Sequence, residues 1–503
     1  HGYGVTMNAV NEFTAEGKPK FILSNMPIEA SGDLKVTRPE IYFGERTNTD
    51  VYVNTKQREF DFPQGENNNY TNYEGSGGFA VGSGLRRLAI AWETGDLSKL
   101  PFSDDVTAES RVLLHRNISE RINRVAPFLK YDSDPYIVVN DDGRLFWLVD
   151  AYTSSSRFPY SKHYDAGGQR VNYLRNSVKV TIDAYSGAVG FYVFDDADPI
   201  VAAYRAAFPE LFKSADEMPA GLRAHVRYPE TLIKTQGDVF GLYHTQSAKM
   251  FFGREDVWSI AREAAVNNDA ANKTNSTPTT QPLDPYQVLM PLPGEQTQAE
   301  FAQVLPFTPA NRNNMIAWMA GRSDGAGYGQ LLVYNFPSSR VIDGPSQIEA
   351  RIDQDAQLSG QITLWNQQGS KVKRGNLIVM PIGTGLLFVE PIYLQAERSP
   401  MPELRLVVLA TQEKLTYAAN FETALAQLLG DAPRTNPKDT EPGKPDKNVG
   451  TPPTGVPQST EQLIKLAGQT FADYQRLTSE GKLGEAGQKL DELKRILEAM
   501  QNR

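Results

Sequence analysis

The chain has no cysteine. Disulfides, thiolate metal sites and cysteine nucleophiles are therefore excluded. It also lacks any apolar run near the roughly 18–20 residues that cross a bilayer as a helix. An excess of positive charge is missing too: 51 Lys and Arg against 60 Asp and Glu leave a formal net charge of −9. No nucleic-acid partner is expected, because phosphate neutralisation needs a basic surface. Histidine is scarce, with five in all. No HExxH, P-loop, Rossmann fingerprint or serine nucleophile elbow is read in the sequence. Asp195, Asp196 and Asp198 lack the ligand spacing of a calcium loop. Neither a metal nor a cofactor is expected.

What is present is ordinary globular protein. Hydrophobic residues make up 40% and charged residues 22% of 503 positions, a length that calls for two or more lobes. Residues 1–95 read as short strands and loops. The glycine-rich "EGSGGFAVGSGLRRLAIAWETG" then leads into an amphipathic segment at Leu85–Trp92. Bare N–H groups near Gly82 and Gly84, with Arg86 and Arg87 behind them, form a candidate anion cradle; a tight turn is the plainer reading. Val112, Leu113, Ile118, Ile122 and Val125 recur near helical spacing, predicting a helix over 106–125 that Pro127 ends. Asp142-Gly143 and Ser186-Gly187 sit between apolar runs and predict two hairpins. Asp198-Pro199 has the look of an N-cap and first helical residue.

Ser214 to Trp258 is the most distinctive stretch and reads as consecutive short helices, opened by the capping-box spacing Ser214-x-x-Glu217. Within it Leu232, Ile233, Gln236, Val239, Phe240 and Tyr243 form a helical stripe, whose aromatics are expected in the core. Candidate binding residues here are His225, Arg227, His244, Glu255 and Asp256. The two histidines are not at metal-ligand spacing on one helix, and a structural hydrogen-bonded role is their plain alternative. Glu255 and Asp256 point to different faces as neighbours on a helix. They also read as a charged first turn ahead of Val257 and Trp258.

The fold class expected is α+β: a mixed, multi-lobed body rich in antiparallel strands with helices, followed by a helical hairpin. The lobes are drawn at 1–266 and 285–430, with a polar junction at 267–284. A Pro-rich linker at 431–458 and the hairpin at 459–503 complete the chain.

"HGYG", "ERINRVAPFLKYDSDPYIVV", "FWLVDAYTSSSRFPYS", "DEMPAGLRAHVRYPE", "PFTPANRNNMIAWMAGRSD", "GPSQIEARIDQD" and "EPIYLQAE" occur in order, and together resemble uncharacterised protein family 0182. That resemblance covers nearly the whole chain. It implies a bacterial multi-pass membrane protein in which several spanning helices precede a large hydrophilic region, with "HGYG" just after the last span. The abrupt opening at His1, with no Met-initiated leader, is read as a cut inside such a protein. One departure from the family's pattern is "YHTQSAKMFFGRED", which places a catalytic role for those side chains in doubt. The family carries no activity or catalytic residues to transfer.

The function expected is an extracytoplasmic module on the plasma membrane that binds a ligand, a lipid or an envelope partner, or serves a structural role. Its own membrane-spanning region is one partner, and a homo-oligomeric cap over the membrane helices is a further reading. The alternative is a hydrolase-like envelope enzyme using His225 or His244 with a carboxylate, which needs two such groups within hydrogen-bond reach.

Overall fold

A computed structural model describes residues 1–166, 168–264, 280–294, 298–367, 369–383, 385–396 and 401–430. The linker at 431–458, the hairpin at 459–503 and most of the junction at 267–284 lie outside them. The fold is α+β, built on three antiparallel-rich sheets with helices between and beside them.

Short strands dominate the first hundred residues. Helix α1 spans Leu85–Glu93 and α2 spans Ile118–Val125. The helix expected over 106–125 is only its second half. Arg111–Leu113 instead forms a strand between Val51–Val53 and Phe79–Ala80. His115 sits at φ 50, which no right-handed helix can pass. Asn117 then restarts the chain as an N-cap, its Oδ1 accepting from the Glu120 N–H at 3.1 Å.

The first sheet holds β1 (Lys130–Tyr131), β2 (Tyr136–Val139), β3 (Leu145–Ser155), β6 (Tyr173–Asp183), β7 (Val189–Val193) and β8 (Phe212–Ser214); a separate ribbon, β4 (Tyr164–Ala166) with β5 (Gln169–Val171), stands between β3 and β6 in sequence. Both predicted hairpins form: β2 turns into β3 at Gly143 and β6 into β7 at Gly187, each glycine with φ above +70°. Helix α3 (Pro199–Ala207) opens at Asp198 as expected, with the Ile200 N–H on its carboxylate at 3.0 Å.

One face of this sheet is dry. Trp147, Val149, Val178, Val180, Ile182 and Phe191 pack there with Ile118 and Ile122 of α2 and Val201 of α3. The other face carries charge. Asp150 and Lys179 are paired residues across β3 and β6 and form an ion pair almost wholly buried beneath Tyr328. Burial pushes the Asp150 carboxyl up, while Lys179 pulls it back.

Helices α4 (Ala220–Arg223), α5 (Glu230–Tyr243) and α6 (Ala248–Gly253) follow in succession. Ser214 and Glu217 do pair, the Glu217 carboxylate accepting from the Ser214 N–H at 2.7 Å, but they cap a 3₁₀ turn. Glu255 and Asp256 open no helix. Arg254, at φ 51, ends α6, and the chain runs into the strand β9 (Trp258–Ile260).

The second sheet joins β9 to β11 (Glu300–Pro309), with β10 (Tyr286–Met290), β12 (Ala317–Arg322) and β13 (Leu331–Asn335). Thr280–Pro282, within the segment read as a loop, pairs with Arg262–Ala264. Helix α7 is Pro345–Gln354 and α8 is Ala356–Gln367. The apolar run "GQITLW" lies within α8. Asp355 explains this, its side chain accepting from the Leu358 N–H at 2.9 Å and restarting the helix one residue after α7 stops. The third sheet comprises β14 (Ser370–Arg374), β15 (Ile378–Ile382), β16 (Gly385–Ala396), β17 (Glu403–Ala410) and β18 (Leu415–Ala418), with α9 (Phe421–Leu429) against it.

Candidate functional site

Helix α5 organises the site. Its first turn is acidic, with Glu230 favouring the helix dipole and binding Lys234 at 2.6 Å. Two glycines let it lie flat on the second sheet. A Cβ at Gly237 would stand 2.7 Å from Leu305 Cδ2, and one at Gly241 would stand 2.6 Å from the Trp258 carbonyl oxygen. Ile233 fills the same buried side, against Leu305, Phe307 and Met319. The stripe expected in the core is therefore divided. Leu232, Val239, Phe240 and Tyr243 turn partly outward and line a groove.

That groove has a volume of about 700 Å³. Its other walls are the loop after β3, the β4–β5 ribbon, the start of β6, and Leu331 of β13. Asn172 makes three of the bonds that hold the loop. Asn172 accepts from the Phe158 N–H at 3.0 Å and donates to the carbonyls of Phe158 and Ser161 at 2.8 and 3.2 Å. This fixes Phe158 stacked on Tyr173, ring centroids 5.6 Å apart. Tyr160, in the same loop, is fully exposed and sits at φ 58. A bulky residue held in the left-handed region is an outlier of the kind that clusters at binding sites.

Most polar groups of the groove are already committed. The Thr235 hydroxyl donates to the Thr231 carbonyl at 2.8 Å, Gln236 accepts from the Tyr228 hydroxyl, and Arg175 pairs with Asp195 at 2.8 Å. Tyr173 donates to Asp198 at 2.7 Å. Asp198 also accepts from Ser177 at 2.6 Å and from Thr153. Burial alone would push its carboxyl up, but the bonds from Ser177, Thr153 and Tyr173 outweigh this and hold it below the usual range. Two groups differ. The Tyr164 hydroxyl is buried with no hydrogen-bond partner among the described residues, and burial pushes its pKa up. The Lys162 ammonium stands 5.1 Å from the centre of the Tyr164 ring.

None of the nine residues singled out from the sequence lines this groove. Gly82 and Gly84 take φ 65 and 60 in the turn before α1. Arg87 folds back to donate to the carbonyls of Leu100, at 2.8 Å, and Ser103; Arg86 is exposed. His225 bonds the Gly221 carbonyl at 2.7 Å. Arg227 pairs with Asp134 and lies 3.9 Å over Tyr136. His244 and Asp256 are brought together, Nε2 to Oδ2 at 3.3 Å, with the imidazole stacked 3.9 Å from Trp258 and only 8% exposed. Its Nδ1 is spent on the Phe240 carbonyl at 3.0 Å. Glu255 is exposed beside them. Helix α5, 14 residues and roughly 21 Å long, runs between His225 and His244.

Gly321-Arg322-Ser323-Asp324-Gly325 does carry the G-x-S-x-G letters, a match the sequence reading missed. Its setting is not that of a nucleophile elbow, which needs a strand turning into a helix. A 3₁₀ turn follows at Gly325–Gly327, and the buried Ser323 hydroxyl accepts from the Tyr228 N–H at 2.9 Å. Further buried carboxylates, Glu349 and Glu390, lie by Arg374, and buried Glu263 lies near both of them. Glu349 is pushed up to about 7, first by burial, and accepts from the Ala264 N–H at 2.6 Å. Among the described residues no group of three or more His, Asp or Glu is placed to hold a metal ion. No helix among them is long and apolar enough to cross a membrane.

A family model described as an uncharacterised protein family, UPF0182, matches residues 1–365. A UPF0182 protein of Desulforamulus reducens is 44% identical over 505 residues, covering 100% of this chain and 52% of the relative. One from Pelotomaculum thermopropionicum is 43% identical over 508 residues, covering 100% and 52%. One from Moorella thermoacetica is 43% identical over 502 residues, covering 99% and 53%. The chain thus spans about half the length of the curated relatives it matches. No solved structure matches it significantly.

Proposed function

Since the chain belongs to the uncharacterised protein family UPF0182, whose relatives are named for no activity, we propose its function from the groove: it is a binding module for a ligand with an apolar body. The observation that carries this is the groove's make-up. A preformed cleft of about 700 Å³, walled by aromatic and aliphatic side chains from α5 and the β3–β6 region, has the size and character of small-molecule sites. Its internal polar groups are largely satisfied, so an apolar ligand body displaces water without stripping a hydrogen bond. Asn172 and Asp198 hold the walls in place, which lowers the ordering cost of binding.

In this reading the module works on the extracytoplasmic side of the bacterial plasma membrane, tethered to its own spanning region. That placement is supported by the family resemblance and by the chain's covering only half of its relatives. Titration with the neutral fluorophore N-phenyl-1-naphthylamine tests the groove. Saturable one-site binding is expected, lost in Val239→Trp, which fills the cleft, with the unfolding midpoint little changed. Binding that does not saturate, or that Val239→Trp leaves intact, would remove the reading.

A further inference from the structure

We propose, resting on that groove reading, that the ligand is an apolar chain ending in an anionic oxygen headgroup, carboxylate or phosphate, received by Lys162 and Tyr164. Among the described residues lining the groove, Tyr164 is the one with a buried polar atom that has no hydrogen-bond partner, and Lys162 is the cation without an ion pair. The Tyr164 hydroxyl is buried and lacks a partner among the described residues. A buried hydroxyl left unsatisfied costs free energy, and a ligand oxygen that accepts its proton removes that cost. Lys162 lies over the same ring, on the same wall of the groove, and is exposed. It supplies the charge that a carboxylate or phosphate needs, and up to three N–H donors.

The surroundings fit a ligand with one polar end. Phe158, Leu232, Val239 and Phe240 offer nothing but apolar surface to the rest of it. The other cation of the lining, Arg175, is held by Asp195 and by the Ala197 carbonyl, so it does not compete for the headgroup. Asp238 on α5, outside the lining, lies close enough for its charge to act on both Lys162 and Tyr164. It weakens an approaching anion without blocking it. Neutral headgroups would satisfy Tyr164 alone, and cationic ones would meet Lys162 with like charge.

The test holds the chain constant and varies the head. Dodecyl phosphate, dodecanoate, dodecanol and dodecyltrimethylammonium are titrated, below micelle formation, as displacers of N-phenyl-1-naphthylamine; inorganic phosphate is the control for a headgroup without a chain. The two anions should bind about 10-fold or more tighter than dodecanol, as one charge-assisted hydrogen bond implies. The cation should be weakest and inorganic phosphate should displace nothing. Lys162→Met should bring the anions down to dodecanol without moving dodecanol itself, Tyr164→Phe should weaken the anions and dodecanol alike, and Asp238→Asn should strengthen the anions several-fold. Equal binding of all four dodecyl compounds would overturn the headgroup assignment while leaving the groove reading intact. So would an anion preference that survives Lys162→Met, and so would displacement by inorganic phosphate alone. Failure of every compound, the fluorophore included, would overturn both.

Discussion

Helices α1 and α5 carry strong local signals, and the fold uses them in opposite ways. Helix α1 follows a glycine-rich turn and bears two arginines, the pattern of an anion site. Yet Arg87 is consumed by the carbonyls of Leu100 and Ser103, while Leu85 and Trp92 stand 85% and 75% exposed. Helix α5 bears an aromatic stripe, the pattern of a core helix. Yet its small residues Gly237 and Gly241 face the sheet, and Phe240 and Tyr243 face the groove. The difference shows that a donor makes a site only after the protein's own acceptors have been served. Likewise, an apolar stripe makes core only where another element covers it.

The largest effect expected comes from breaking the groove's support. Asp198→Ala leaves the hydroxyls of Ser177, Thr153 and Tyr173 without their acceptor, and should cost roughly 3–5 kcal/mol in urea unfolding. Its pH dependence has a definite sign. The folded carboxyl is held below its unfolded value of about 3.9, so its stabilisation is fully present above that value. It is lost as pH falls through the folded value. The gap between wild type and Asp198→Ala should therefore stay constant from about pH 6 to 8 and narrow as pH falls below about 4, where the part owed to the ionised carboxylate is lost.

Next in size is a matched pair on the two helices. Val239→Trp on α5 should weaken binding of the neutral fluorophore by at least about 30-fold, or roughly 2 kcal/mol. Leu88→Trp, at an already exposed position of α1, should leave it unchanged. Equal losses from both would erase the contrast between the helices. Smaller still, Arg87→Met should cost about 1–3 kcal/mol of stability, because it removes charged hydrogen bonds to two carbonyls. Arg86→Met should stay within about 0.5 kcal/mol, as an exposed residue without such bonds does. Neither should alter binding of the neutral fluorophore, since both lie outside the groove.

What could be read in advance was local. Gly143 and Gly187 marked hairpins because only a residue tolerant of positive φ closes such turns, and Asp198-Pro199 marked a helix start because both residues suit that position. The strand at Arg111–Leu113 was hidden because apolar residues near helical spacing continue across His115, whose backbone breaks the helix. The α+β class followed from the many short apolar runs. The groove was not legible, because its walls come from residues near 158–175, 232–243 and 331. Nothing in a single chain says that these meet. One signal was available: glycines four apart at Gly237 and Gly241 mark the side of α5 that packs closely on another element, and so leave the aromatic side for something else. The meeting of His244 with Asp256 was similarly out of reach, since it needs the turn at Arg254 that ends α6.

The most direct test of the central claim is amide hydrogen exchange with and without saturating dodecyl phosphate. Slowed exchange confined to residues 158–175 and 232–243, with 79–102 unaffected, is the result predicted. Slowed exchange around α1 at 79–102, with the groove segments unchanged, would contradict the account and return the site to the glycine-rich turn.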